Sequence, residues 1–207
     1  MVKDATRLHV VNGPHFFEFT SSIHSIDVNA RRAAGGENIR ITGRGLDAFA
    51  SQLGTPYTCL FSSLDGNHVE TALVVNALDS ATIDCATPIW NYRATRVVVT
   101  LEFGQGIEFR GQSRARDITF DMTASYNALS RTKAACVGGD EILLHGFGFD
   151  STGFNYMIVL RGIDGVAKQE VAAEVALSDK TLRFVSPVWS NKAQTVSVET
   201  KHVSALD

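Results

Sequence analysis

Short apolar runs and alternations recur along this chain, separated by clusters of Gly, Asn, Asp and Ser. Residues 38–42 (NIRIT) alternate apolar and polar, residues 141–145 (EILLH) run mostly apolar, and residues 57–61, 96–101 and 156–160 are rich in β-branched and aromatic side chains. A period of two over such short stretches predicts strands, with Gly-Gly before and Gly-x-Gly after as punctuation. Residues 68–75 (HVETALVV) and 170–177 (EVAAEVAL) are mixed signals, because Ala and Glu also favour helices. We read both as strands, since their neighbours are strands and a lone helix would need a sheet face to cover. Turn signals about every ten residues, in units of about a hundred, predict an all-β chain of immunoglobulin-like sandwiches.

The pattern occurs twice. Residues 33–47 (AAGGENIRITGRGLD) lie over residues 136–150 (CVGGDEILLHGFGFD), residues 57–61 (YTCLF) over 156–160 (YMIVL), and residues 81–90 (ATIDCATPIW) over 180–189 (KTLRFVSPVW). Residues 95–99 fall on 194–198, and order and spacing hold throughout apart from one short deletion after Asp150. Such self-similarity is the mark of duplicated modules. The glycines recur in pairs: Gly35, Gly36, Gly43 and Gly45 in one copy, Gly138, Gly139, Gly146 and Gly148 in the other. Recurrence inside a repeat marks them as turn or close-approach positions. A phosphate loop would need Gly-Lys-Ser/Thr, or G-x-G-x-x-G, opening a helix.

Apolar entry at residues 23–26, the Gly35-Gly36 pair, the Gly43-Arg44-Gly45-Leu46 turn, Cys59-Leu60-Phe61, residues 83–88 (IDCATP) and a closing Val-rich strand together closely resemble the IPT/TIG module. The resemblance implies an E-set immunoglobulin-like sandwich, of a kind found in receptor ectodomains, surface arrays, accessory modules of sugar-processing enzymes and some transcription factors. So widely reused a fold does not determine function. It divides the chain into residues 1–22 as the tail of a preceding repeat or an N-terminal strand, 23–121 as the first sandwich and 122–207 as the second. Residues 16–22 (FFEFTSS) resemble residues 119–125 (TFDMTAS), which enter the second copy. On this reading the chain is a stretch of a longer array.

The chain's 207 residues suit two domains of about 100 each, every one large enough for its own core. A net charge of −3 provides no positive field to recruit a phosphate backbone, so nucleic acid is not an expected partner. Apolar stretches are of strand length and too short to cross a bilayer, so no direct membrane insertion is expected. The first residues lack the pattern of a secretory signal, and there is no Asn-x-Ser/Thr site.

Cys59 and Cys85 are replaced together by Ile158 and Phe184 in the second copy, as two side chains in mutual contact would be. The preferred reading is a disulfide between two strands of the first sandwich, which the resemblance to extracellular modules also supports. The alternative is a pair of buried reduced thiols serving as small hydrophobes. Cys136 has no partner in the chain and is assigned no role. Trp90, Tyr92 and Trp189 are the interaction candidates, able to stack on a sugar ring or anchor a protein if exposed, and otherwise closing the ends of their own cores. Small basic clusters at Arg31-Arg32 and between Arg110 and Arg116 read as solvated rims, or as a patch for an acidic ligand.

The histidines His9, His15, His24, His68, His145 and His202 occupy no position shared by both copies, so no base recurs in the repeat. Asp47 and Asp150 follow the Gly-x-Gly turns, where Asp commonly binds local backbone, and no calcium-loop pattern is present. The expectation is therefore a non-enzymatic extracellular or cell-surface module for protein interaction or adhesion, with no cofactor and no metal. A carbohydrate-binding accessory module is the alternative, and a glycan a possible ligand.

Overall fold

The computed structural model describes residues 22–46, 57–71, 77–103, 107–108, 118–152, 155–172 and 176–203. In the first half the strands are β1 (Ser22–Ile26), β2 (Ala30–Arg32), β3 (Asn38–Arg44), β4 (Tyr57–Ser63), β5 (Val69–Thr71), β6 (Thr82–Ala86), β7 (Arg96–Phe103), β8 (Ile107–Glu108) and β9 (Thr119–Thr123). In the second they are β10 (Ser125–Leu129), β11 (Glu141–Phe147), β12 (Asn155–Gly162), β13 (Lys168–Ala172), β14 (Thr181–Val185) and β15 (Val196–Val203). The two mixed-signal segments begin as strands, β5 and β13. Residues 72–75 and 173–175 of these segments lie outside the described residues.

The first half pairs β1-β3-β6 in one sheet and β2-β9-β7-β4-β5 in another, with β8 against β7. Alternation builds each face: β3 reads exposed-buried throughout, placing Ile39 and Ile41 inward, and β4 turns Tyr57, Cys59 and Phe61 inward. Ile83 and Cys85 join them from β6, with Val97, Val99 and Leu101 from β7, and Phe120 and Met122 from β9. One apolar layer thus lies between two sheets, with Phe120 edge-on to Phe61 at 6.1 Å between centroids. In immunoglobulin lettering, β1, β3 and β6 are strands A, B and E, while β4, β7 and β9 are C, F and G.

The second half pairs β10-β11-β14 and β13-β12-β15 around a separate core of Leu144, Phe149, Tyr156, Ile158, Leu182 and Phe184, among others. The register is reproduced along with the order. Ser22 faces Arg44 and Ile23 faces Gly43, then the register slips so that Ser25 faces Thr42. Ser125 faces Phe147 and Tyr126 faces Gly146, and the same slip puts Ala128 opposite His145. The bulge is therefore at the same place in both halves, at His24 and at Asn127. Likewise Tyr57 opposite Phe103 corresponds to Tyr156 opposite His202. The chain is an all-β protein of immunoglobulin-like sandwich topology.

Candidate interaction surfaces

Cys59 on β4 and Cys85 on β6 are joined by a disulfide across the two sheets, with Cα atoms 6.4 Å apart. Both are fully buried. Ile158 and Phe184 occupy the corresponding core positions of the second half. Cys136 is a free, exposed thiol.

The tryptophans differ from one another. Trp90 is fully buried, its Nε1–H donates to the Arg93 carbonyl at 2.9 Å, and Tyr92 packs edge-on against it at 5.3 Å. It is not the exposed indole that stacking on a ligand requires, because it closes the end of its own core. Tyr92 in turn stacks on His68 at 4.0 Å and stays half-buried. Trp189 donates in the same way to the Lys192 carbonyl at 3.0 Å, but it is partly exposed. The second half has Asn191 where the first has Tyr92, and Ala167 where it has His68, so the aromatic lid is missing.

The glycines hold tight backbone geometry. Gly35 has φ +70°, and a Cβ there would stand 2.5 Å from the Pro88 carbonyl oxygen; Gly138, at φ +73°, meets the Pro187 backbone at 2.6 Å. Gly43 and Gly146 instead allow β3 and β11 to approach the carbonyls of Ser22 and Ser125 too closely for any side chain. Tyr57 and Tyr156 each reach back to backbone that precedes them in the chain. The Tyr57 hydroxyl donates to the Leu46 carbonyl, and the Asp150 amide donates to the Tyr156 hydroxyl at 2.6 Å. Burial pushes the Tyr156 hydroxyl's pKa up. Asp150 itself accepts from the Thr152 amide at 2.8 Å and hydroxyl at 2.6 Å. Asp47 lies outside the described residues.

Of the basic clusters, Arg31 donates to the Asn38 and Ala30 carbonyls, and Arg32 pairs with Glu37 at 2.9 Å. The backbone N–H of Arg32 helps hold the Glu37 carboxyl below its ordinary pKa. These arginines are occupied with local structure. Arg110 to Arg116 lie outside the described residues, as do His9 and His15. His24 and His145 are exposed, the former beside the Ser22 hydroxyl at 3.4 Å. Among the described residues, no group of three His, Cys, Asp or Glu side chains could hold a metal ion, and no helix is long and apolar enough to cross a membrane.

The junction between the halves is the most built surface. Only Ala124 separates β9 from β10. The Ala34 amide donates to Ser125 Oγ at 3.1 Å, and the Ala94 amide to the Gly148 carbonyl at 2.9 Å. A Cβ on Gly148 would meet the Ala33 Cβ at 2.9 Å, so glycine is what lets the two ends close. Beside this contact lies a cleft of about 630 Å³, walled by Arg93, Arg96 and Asp121 from one half and by Asp150, Tyr156 and Thr200 from the other. Arg96 and Asp121 are paired at 2.8 Å on its rim.

Of two further features, the hairpin turns carry a sequence signal and the contact between copies does not. Asp65-Gly66 and Asp164-Gly165 are Asp-Gly hairpin turns, joining β4 to β5 and β12 to β13, with φ of 72° and 71° at the glycines. The docking of Gly148 on Ala33 is a contact between copies, which comparison of each copy with the other does not reveal.

No protein-family profile matches the chain. No curated protein sequence matches it either. Among solved structures it is similar to the full extracellular region of Plexin A4, domains 1 to 10, at 17% identity over 84% of this chain and 13% of that one, with a TM-score of 0.36. A second structure of that region, domains 1 to 8, is 9% identical over 86% and 23%, with a TM-score of 0.39. Trypsin-activated alpha-2-macroglobulin from Escherichia coli is 13% identical over 90% and 14%, with a TM-score of 0.30. The chain thus spans less than a quarter of the length of each of these structures.

Proposed function

We propose that the chain is a pair of IPT/TIG-like modules of a larger extracellular or cell-surface protein, binding protein partners without catalysis and holding its neighbours at fixed spacing. The observation that carries this reading is the reproduction of one strand order, one register and one bulge in two halves that share little beyond their motifs. A single residue between β9 and β10, with hydrogen bonds across the junction, supports a stiff link rather than a flexible one. The Cys59–Cys85 disulfide supports an oxidising compartment.

The sugar-stacking alternative loses its main residue, because Trp90 is buried. A panel of purified ectodomains and a glycan array, both probed with the wild-type chain and with Trp189→Ala, would test the proposal. Binding to proteins with a silent glycan array is the expected result. Glycan binding that disappears in Trp189→Ala would overturn it in favour of the accessory-module reading.

A further inference from the structure

We propose that the cleft at the junction takes a loop of a protein partner through two charges, a Lys or Arg side chain on Asp150 and a neighbouring carboxylate on Arg93. The inference rests on the protein-binding reading above and names the chemistry of the partner at one site. Asp150 is the unusual group. It is only 8% exposed, and its backbone N–H is held by the Tyr156 hydroxyl at 2.6 Å. The Thr152 amide and hydroxyl both donate to the same carboxylate oxygen, Oδ1, at 2.8 and 2.6 Å. Among the described residues no donor or cation reaches the other oxygen, Oδ2.

That oxygen opens onto the cleft. Among the described residues, Gln169 Oε1 is the one side-chain oxygen sealed from solvent without a partner, so Asp150 Oδ2, also without one, is not sealed. Asp150 lines the cleft, and the opening is there. A carboxylate largely withdrawn from water is stabilised by an opposite charge that reaches it, and the wall of the cleft supplies none. Lys and Arg carry a charge at the end of an apolar stem, which suits a recessed acid approached past Met122 and Ala124.

The other charges of the cleft fix what else the loop carries. Arg96 and Asp121 neutralise each other at 2.8 Å. Arg93 is exposed and makes no ion pair among the described residues. Its backbone is held on both sides: its carbonyl accepts the Trp90 indole N–H at 2.9 Å, and the next amide, of Ala94, donates to the Gly148 carbonyl at 2.9 Å. The cleft therefore presents one recessed anion and one exposed cation that nothing answers. Their complement is a basic side chain that reaches in, beside an acidic one that stays outside. A volume of about 630 Å³ is ample for two side chains and larger than a free amino acid needs, so a protein loop is the occupant. Arg93 belongs to the first half and Asp150 to the second. A loop that engages both also clamps the junction.

The probe is the blocked peptide acetyl-Gly-Lys-Glu-Gly-amide, titrated into the full chain while the amide signals of Ala94 and Thr152 are followed by NMR. Saturable shifts at both, with slower hydrogen exchange at Ala94, are expected. Asp150→Asn keeps an acceptor for Thr152 and should weaken binding by at least about tenfold. Arg93→Gln should weaken it several-fold, and changing the peptide's Glu to Gln should then cost nothing more. Absence of saturable shifts overturns the proposal, as does binding undiminished in Asp150→Asn. If that variant does not fold, the Arg93 pair decides: losses from Arg93→Gln and from the peptide change that simply add overturn it. Free lysine that binds as tightly as the peptide overturns it too, because the occupant would then be a small zwitterion. The protein-binding reading fails separately, on a silent ectodomain panel, whatever the peptide does.

Discussion

Asp65 sits in the β4–β5 hairpin, where it accepts from the Ser63 hydroxyl, from the Asn67 amide at 3.2 Å and from the Asn67 side chain at 2.7 Å. These bonds, the Ser63 hydroxyl foremost, lower its pKa from 3.8 to about 2. A carboxyl whose folded pKa lies below its unfolded value adds stability above the unfolded pKa, and that stability is lost as pH falls through the folded one. The denaturant midpoint should therefore fall more steeply between about pH 4 and pH 2 in the wild type than in Asp65→Asn; equal slopes would contradict the assignment.

Neighbouring glycines differ in the same testable way. Gly36 has φ +78° with open space around it, so Gly36→Ala should cost only the left-handed backbone penalty, about 1 kcal/mol. Gly35→Ala adds a clash with the Pro88 backbone and should cost distinctly more, up to about 3 kcal/mol. Chemical denaturation of both variants gives the comparison. The same method separates the tryptophans: Trp90→Ala should cost about 3–5 kcal/mol, and the partly exposed Trp189→Ala clearly less. At this scale the sequence named Cys59 and Cys85 by their joint replacement. It favoured a core role for Trp90 over a contact surface, because recurrence of an aromatic position in a repeat usually records packing, and Trp90 is buried.

Strands were legible because their inward residues alternate, as Ile39 and Ile41 do on β3. Pairing order was not, since a period of two says which face a residue joins but not which strand lies beside it. The parallel β2–β9 pair is an example: Ala30-Arg31-Arg32 carries no strand pattern, and only the arrival of β9 makes it a strand. The disulfide ties β4 to β6 across a sequence separation of 26. Constraint of the unfolded chain by a loop of that length is worth about 3–4 kcal/mol. Cys59→Ala with Cys85→Ala should lower unfolding free energy by roughly that amount or somewhat more, through the lost packing of two buried sulfurs. Intact mass with and without reductant, after alkylation, verifies the bond first. A reduced pair in protein purified from an oxidising compartment would contradict it.

At the scale of the molecule, two apolar interiors are stacked end to end, the first closed by a disulfide and the second by Ile158 and Phe184. The motifs predicted a duplication, whereas nothing in them pointed to the junction. Gly148 is common to both copies as Gly45 is, but its contact with Ala33 exists only because one copy follows the other. The Arg96–Asp121 pair beside it joins β7 to β9 within the first half and is exposed, so it contributes little to stability.

The central claim is that these interiors are separate. Hydrogen exchange read by mass spectrometry, with the Cys59–Cys85 bond oxidised and then reduced, tests it most directly. Reduction should lower protection in β3, β4, β6 and β7 while β11, β12, β14 and β15 keep theirs. Protection lost together across both sets of strands would mean one shared interior and would contradict the account.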